Sequence, residues 1–345
     1  MSRWPRFGGV FMAVLGITLS FVGTVSSQEP MAPRYRFASP VGCALGTDCW
    51  IFYYPDLDPG GGVRDYRCGH RTYDGLEGTV FGLRDQSAMN AGVDVVAVAA
   101  GEVIGVRNDM PDIDVNKVGG AIAVRDRECG NGIAIRHDGG MRTQYCHMRK
   151  GSIPQKKGDK VGAGEKIGEV GMSGLSAFPN LEFRVSMRNE RVDPFAGQTR
   201  SNPCAIGDSA FWTDEAASLF SYQPTAVINR GFASVKPGEA EARQGLYRSS
   251  GFSGLSPVMA IWADILWVDE GDRISLQIDA PDGTALVRHS NVVRRTVVRR
   301  FFYAGKNRPP GGWRPGTYKG WVVIEKKKPQ NGKSRIVVEQ NATVN

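Results

Sequence analysis

The sequence predicts an all-β protein in which an antiparallel β-sheet domain is followed by a smaller, immunoglobulin-like β-sandwich. Between about Asp74 and Met187, short runs rich in β-branched residues alternate with glycines, a pattern typical of antiparallel strands joined by tight turns. After Phe211, seven more short runs are separated by turn signals such as Pro281-Asp282-Gly283, which is typical of sandwiches. The 345 residues are enough for two domains with separate cores.

These runs define the predicted strands. In the first domain they are Val93–Ala99, Gly101–Val106, Ala121–Arg125, Gly132–His137, Gln144–Met148, Lys166–Val170 and Leu181–Met187. In the second domain they are Ala226–Ala233, Met259–Val268, Ile274–Ala280, Thr284–His289, Thr296–Tyr303, Thr317–Glu325 and Arg335–Glu339.

Residues 1–27 are predicted to be a signal peptide. Arg3 and Arg6 precede an uncharged, largely apolar stretch, Gly8–Val22, and Val25-Ser26-Ser27 supplies small residues before a cleavage site. No later stretch is long and apolar enough to predict a transmembrane helix. We therefore expect a periplasmic or secreted protein with no transmembrane segment after the signal has been cleaved.

The chain after the signal contains an even number of cysteines, which in an exported protein favours disulfides over metal thiolates. Their spacing suggests one short pair, one pair across neighbouring strands, and a last pair formed by the remaining two. About 15 pairings of six cysteines exist, so the connectivity stays open at this point. The suggested pairs are Cys43 with Cys49, Cys129 with Cys146, and Cys68 with Cys204.

The chain after the signal divides into three predicted parts. Residues 28–73 contain many Pro, Gly and Asp residues and predict an irregular segment that disulfides hold in place. Residues 74–204 form the predicted sheet domain. A stretch rich in Pro, Gly, Ser and Asn lies between Asp193 and Phe211 and predicts a linker, so the β-sandwich is assigned to residues 205–345.

The formal net charge of +8 suits a protein that works beside anionic polymers, although a solvated basic surface explains it equally well. In the second domain, Arg294-Arg295 and Arg299-Arg300 flank Thr296-Val297-Val298. Such a basic face can dock onto an anionic polymer or an acidic partner. Nucleic acid is not expected as a partner, because the chain is predicted to be exported and lacks an aromatic and basic nucleic-acid motif.

Three segments of the first domain together resemble the LytM or M23 family of zinc endopeptidases, which cut peptidoglycan cross-bridges. Val93–Val103 resembles the family's strand-turn-strand unit, and Gly130–His137 with Thr143–Met148 resembles its central hairpin. Val161–Gly174 resembles the turn-rich hairpin that follows. The resemblance covers about a third of the chain and rests on the order and spacing of the segments.

The resemblance implies where a zinc site would lie. Active members bind zinc through the His and Asp of an H-x-G-x-D segment and the second His of an H-x-H segment, and two further histidines assist catalysis. Side chains at alternate strand positions share one face, so these residues converge on one metal that keeps an open position for water. The metal acidifies that water and polarises the scissile carbonyl.

At the corresponding positions this chain has lost the metal ligands. Leu76 and Val80 stand where the first segment has His and Asp. Asn180 stands in place of the assisting His of H-x-H, and Glu182 in place of its ligand. His147 alone keeps a catalytic position of the family, although a half-buried histidine beside a disulfide explains it equally well. These residues predict a pseudoenzyme without a cofactor.

The function predicted is that of a cell-envelope binding or regulatory module whose partner is peptidoglycan or an envelope protein such as a cell-wall hydrolase. The alternative is an active zinc metalloendopeptidase with a rearranged site made of His70, Asp74 and Glu182. His70 lies six residues before Leu76, about 20 Å along an extended strand, which argues against that site. A purely structural envelope protein is the third interpretation, and it predicts no cleft beside Leu76, Val80, His147 and Asn180.

Overall fold

The computed structural model describes residues 35–222, 225–247, 249–330 and 332–345, without the side chains of Gln330 and Lys333. Tyr35–Asn345 forms one compact unit. The predicted signal peptide, residues 1–27, lies outside the described residues. Within the described residues, the helices are too short and too polar to cross a bilayer.

An antiparallel sheet of eight strands forms the first half of the fold. Its order is β1-β2-β9-β6-β5-β4-β7, and β10 pairs with β9. A separate two-stranded sheet, β3-β8, lies beside it. The strands of both sheets are β1 Cys49–Tyr53, β2 Thr79–Leu83, β3 Asp94–Val96, β4 Gly101–Arg107, β5 Asn131–Arg136, β6 Met141–Met148, β7 Lys160–Val161, β8 Lys166–Glu169, β9 Asn180–Met187 and β10 Glu190–Arg191.

Strand β9 has two chemically different faces, because successive side chains of a strand point to opposite sides. Leu181, Phe183 and Val185 face the first hydrophobic core and are fully buried. Asn180, Glu182 and Arg184 take the other positions and therefore face away from this core. The strand thus presents a row of polar side chains on the side opposite the core.

The first core also contains residues from outside the sheet domain that the sequence predicted. Phe37 and Tyr54 come from the predicted irregular segment, which also supplies the strand β1. Phe211, Trp212 and Phe220 join the same core from beyond residue 204. The first core therefore continues to Phe220. The domain boundary between residues 204 and 205 stays a prediction.

The second half of the fold contains a three-stranded sheet, β11-β13-β16, and a five-stranded sheet, β12-β18-β17-β14-β15. Strands of both sheets contribute to one hydrophobic core that includes Ile261, Ile274 and Val322. All strand pairs are antiparallel except β12 with β18, which is parallel. The strands are β11 Ala226–Ala233, β12 Gly251–Phe252, β13 Val258–Val268, β14 Arg273–Asp279, β15 Ala285–Val292, β16 Val297–Asn307, β17 Gly316–Gln330 and β18 Lys333–Val344.

The all-β prediction is confirmed, since the helices are short: α1 is Gln86–Ala91, α2 is Asp214–Leu219 and α3 is Glu239–Gln244. In the described part of the chain, 3₁₀ turns occupy Val115–Lys117, Gly120–Val124 and Asp138–Gly140. The strand predicted for Ala121–Arg125 is wrong. Gly119 and Gly120 have positive φ angles that turn the chain into a 3₁₀ turn, in which Ile122 is 77% exposed and which pairs with no described strand. The immunoglobulin-like type of the second half stays a prediction.

The three disulfides have the connectivity that the spacing suggested. Cys43–Cys49 closes a loop before β1, Cys129–Cys146 joins the loop before β5 to β6, and Cys68–Cys204 connects segments 136 residues apart. The last disulfide ties the segment before the sheet to the segment after it.

Candidate functional site

The register of the sheet brings three of the predicted site positions together. Val80 on β2 lies directly opposite Glu182 on β9, and Glu182 lies directly opposite Cys146 on β6. Residues directly opposite in an antiparallel pair project to the same face. The positions that the resemblance assigned to two zinc ligands are therefore cross-strand neighbours.

His147 reaches this face because β6 carries a β-bulge. The four residues Tyr145 to Met148 of β6 lie opposite the three residues Asn131 to Ile133 of β5. The extra residue breaks the alternation of side chains and re-aims them. His147 adopts the left-handed conformation, with φ of 65°, and its backbone N–H donates to the Cys129 carbonyl at 2.8 Å. The Cys129–Cys146 disulfide holds the bulge from the adjacent position.

Glu182 forms the centre of a buried ion cluster. The guanidinium group of Arg184 donates to both carboxylate oxygens of Glu182, with Nε–Oε1 at 2.8 Å and Nη2–Oε2 at 3.0 Å. His147 Nε2 lies 3.3 Å from Oε2 of Glu182. Arg184 also pairs with the exposed Glu77 at 2.8 Å. Glu182 and His147 are only 3% and 6% exposed, so the pairing takes place away from water.

The contacts of His147 hold its ring in place. Nδ1 lies 2.8 Å from the carbonyl oxygen of Ser173, and Nε2 faces the Glu182 carboxylate. Both of these oxygens accept hydrogen bonds, so the ring bridges Ser173 and Glu182. Burial alone raises the pKa of the Glu182 carboxyl, but hydrogen bonds from His147 and Arg184 outweigh this effect and hold the pKa at about 2.

Gly78 makes room for the carboxylate. A Cβ atom at this position would lie 2.7 Å from Cγ of Glu182 and 2.9 Å from the carbonyl oxygen of Phe183, closer than a side chain can approach. Any larger residue at position 78 would therefore displace Glu182 from Arg184 and His147.

Asn180 is 3% exposed, and its side chain is used locally. Its amide group donates to Oγ of Ser176 and to the carbonyl of Phe178, each at 2.7 Å, within the turn that precedes β9. Its backbone N–H donates to the Gly171 carbonyl at 3.0 Å. The amide donors thus fix the turn and do not face a cleft.

Leu76 and Val80 lie in a hydrophobic cluster that joins the two halves of the molecule. They are 2% and 5% exposed, and they pack with residues of the second half. Trp267, at the end of β13, donates its indole N–H to the Phe52 carbonyl at 2.7 Å. The other buried members of the cluster are Trp50, Ile228 and Leu266. The second half of the chain therefore covers the face on which Val80 lies.

The structure does not bring together the alternative metal ligands. His70 Nε2 lies 3.4 Å from Asp269, Asp74 is exposed, and Glu182 pairs with His147 and Arg184. Among the described residues, no group of three His, Cys, Asp or Glu side chains is placed to hold a metal ion.

The side chains at the positions that correspond to the family's zinc site do not fit the metal. Zinc requires nitrogen, oxygen or sulfur donors, and Leu76 and Val80 have none. Glu182 has oxygen donors, but the guanidinium group of Arg184 binds both of them, and its positive charge repels a dication. The donor set therefore supports no metal-dependent step.

A groove of about 300 Å³ opens on the exposed side of the ion cluster. Arg184 lies between the groove and the buried ion cluster. The groove is also lined by Arg142, Gln144, Arg191 and Glu77. Three arginines against one carboxylate give the groove a positive balance. Val80, His147 and Asn180 do not line it.

Two functional residues were missed in the sequence. Arg184 occupies the same face as Glu182 two residues later, so the alternation of β9 was a usable signal for it. Trp267 had no local signal, because its partners Phe52 and Tyr53 are more than 200 residues away in the chain.

Comparison with known proteins places a family domain within the first half. Residues 85–194 match the family model Peptidase family M23. Over 76 residues, 22% of this chain and 17% of the relative, the sequence is 40% identical to the Peptidoglycan DD-endopeptidase ShyB of Vibrio cholerae. Over 65 residues, 19% of this chain and 14% of the relative, it is 37% identical to the DD-carboxypeptidase/endopeptidase Mpg of Neisseria meningitidis.

A solved structure, the catalytic domain of the prophage-encoded M23 protein EnpA from Enterococcus faecalis, aligns with 47% of this chain and 94% of that domain, at 23% identity and a TM-score of 0.30. The chain spans less than a fifth of the length of the curated relatives ShyB and Mpg. The family match includes His147, Asn180 and Glu182 and begins after Leu76 and Val80. The chain therefore contains a domain of peptidase family M23 over residues 85–194.

Proposed function

We propose that this protein is a non-catalytic M23 module of the cell envelope that binds peptidoglycan. The observation that carries the proposal is the buried pairing of Glu182 with Arg184 and His147, beneath a hydrophobic cluster that contains Leu76 and Val80. A hydrolytic zinc centre requires free metal ligands and an open cleft. Here the ion pairs of Glu182 occupy the one remaining oxygen ligand, and the hydrophobic cluster fills the space beside it.

Hydrolysis at such a centre requires a metal with an open coordination position, a water molecule and access for the scissile bond. At the corresponding position here, the guanidinium group of Arg184 neutralises Glu182 without offering a coordination site. The packing of Trp267 and Leu266 on the same cluster removes solvent access. His147, which stands at a catalytic position of the family, then has a structural role and orients Glu182.

The groove beside Arg184 supports a binding role. Peptidoglycan peptides carry carboxylates, and arginine recognises carboxylates through paired hydrogen bonds. Arg142 lines the groove, is exposed, and has no acidic partner among the described residues. The relative ShyB is a peptidoglycan DD-endopeptidase, which makes the same polymer the first ligand to test here.

The loss of catalysis is tested by elemental analysis of the purified chain after incubation with excess zinc and gel filtration. We expect no stoichiometric zinc and no cleavage of peptidoglycan peptides. About one tightly held zinc per chain that is lost in Glu182→Gln or His70→Ala would overturn the non-catalytic assignment.

The binding role is tested separately by co-sedimentation with purified insoluble peptidoglycan. We expect the protein to pellet with the polymer, and Arg142→Glu to release it. Arg125→Glu is the matched control, since Arg125 is an exposed arginine outside the groove. Equal pelleting of both variants, or no pelleting of the wild type, would contradict peptidoglycan binding and leave the zinc result unaffected.

A further inference from the structure

A second groove lies in the other half of the molecule, far along the chain from the M23 domain. It has a volume of about 730 Å³ and is lined by the end of β15, the turn to β16, and β16 itself. Strands β15 and β16 are edge strands of two different sheets. The groove is therefore the open side between the two sheets.

Strand β16 presents a long free edge to this groove. It extends over 11 residues, Val297–Asn307, and among the described residues its only sheet partner is β13. An edge strand exposes a row of unpaired backbone N–H and C=O groups, which can pair with an additional strand. The typical strand is about 5 to 6 residues long, so this edge can hold a complete added strand.

The groove is positively charged. Arg294, Arg295 and Arg300 line it, and no Asp or Glu is among its described lining residues. None of the three arginines forms an ion pair with a described residue. Arg299 differs from them, because it donates to the buried Asp264 at 2.8 Å and is therefore already neutralised.

Arg300 projects to the inner side of its sheet. It lies directly opposite Ile265, which is fully buried in the second core, and its guanidinium group lies 5.8 Å from the ring centroid of Phe302. It stays exposed because the two sheets separate at this edge. A charge on the inner face of an edge strand discourages pairing with another copy of the same edge. The charge that disfavours a second copy attracts a strand of opposite charge.

We propose that β16 receives an extended acidic segment of a partner protein as an additional antiparallel or parallel strand. The added backbone would hydrogen-bond to the free edge of β16, and its acidic side chains would pair with Arg294, Arg295 and Arg300. Its apolar side chains would point to the opposite face of β16, where the 41% exposed Tyr303 lies. This interaction surface is separate from the groove beside Arg184, and the proposal does not depend on peptidoglycan binding.

The test uses fluorescent peptides of about six residues, the length of a typical strand, in anisotropy titrations with the purified chain. One peptide alternates Glu and Val, the second alternates Lys and Val, and the third repeats the first with methylated backbone nitrogens. We expect the Glu peptide to bind at least about ten-fold more tightly than both others. Equal binding of the methylated peptide would overturn strand addition, and equal binding of the Lys peptide would overturn the charge assignment.

Charge reversal locates the site. Arg300→Glu and Arg294→Glu are each expected to weaken binding of the Glu peptide about ten-fold and to strengthen binding of the Lys peptide. Arg125→Glu makes the same charge change on the first domain and is expected to leave both affinities unchanged. Unchanged affinities in both groove variants would overturn the proposal, as would binding of anionic phosphatidylglycerol vesicles without any preference among the peptides.

Discussion

Replacing Glu182 with Gln should destabilise the protein at neutral pH and remove part of its sensitivity to acid. The pKa of the Glu182 carboxyl is held at about 2 instead of 4.5. Because one pH unit corresponds to about 1.4 kcal/mol, this difference contributes about 3 kcal/mol to the free energy of unfolding. The same magnitude is typical for breaking a buried ion pair, which costs about 3 to 5 kcal/mol.

The sign of the pH dependence follows from the lowered pKa. The contribution is fully present above pH 4.5 and is lost as the pH falls towards about 2, because the unfolded carboxyl takes up its proton first. Urea unfolding of wild type and Glu182→Gln should therefore differ by about 3 kcal/mol at pH 7 and converge at about pH 2. A constant difference across this range, or none at pH 7, would refute the ion-cluster argument.

Glu77→Gln is the matched control. Glu77 binds the same arginine at 2.8 Å, but its side chain is 51% exposed. Solvent screens exposed ion pairs, which contribute less than about 1 kcal/mol. A loss in Glu77→Gln as large as in Glu182→Gln would mean that burial of the carboxylate is not what makes the pair strong.

Three further changes test the surrounding structure by urea unfolding. Gly78→Ala should lower stability because its Cβ would lie 2.7 Å from Cγ of Glu182, whereas Gly105→Ala, which meets nothing within 4 Å, should not. Trp267→Ala should cost about 3 to 5 kcal/mol through loss of buried contacts, and a variant as stable as wild type would contradict its covering role. Burial raises the pKa of Asp193 to about 7, so wild-type stability should fall as the pH rises from 3.8 towards 7, by up to about 1.4 kcal/mol per pH unit, and Asp193→Asn should lack this slope.

Strands were predictable where side-chain patterns are local. The predicted Ala226–Ala233 strand matches β11 as observed, and Leu181–Met187 lies within β9. The prediction failed for Ala121–Arg125, because β-branched and alanine residues form a strand only where a neighbouring strand pairs with them and buries one face. It also missed β1, where Cys49–Tyr53 follows a short disulfide loop that resembles irregular structure in sequence.

The candidate site was predictable in its residue types but not in its contacts. Aliphatic residues at positions 76 and 80 and a glutamate at 182 could be read directly. The pairing of Glu182 with His147 could not, because it depends on a bulge that adds one residue to β6. The residue that packs on Leu76 and Val80 was equally unpredictable, since it is a tryptophan nearly 200 residues later in the chain.

Two features of this site depend on each other: the aliphatic residues at positions 76 and 80, and the tryptophan that covers them. A charged ligand at position 76 or 80 would lie in the cluster that contains Trp267, where an unpaired charge costs several kcal/mol. Conversely, without the second half of the chain, Leu76 and Val80 would form an apolar patch on the surface. The aliphatic residues and the covering tryptophan therefore stabilise each other, while Arg184 provides the positive charge that the buried carboxylate of Glu182 requires. Replacing Leu76 or Val80 alone with a charged metal ligand would leave a buried charge unpaired. A single substitution therefore cannot create a metal site here.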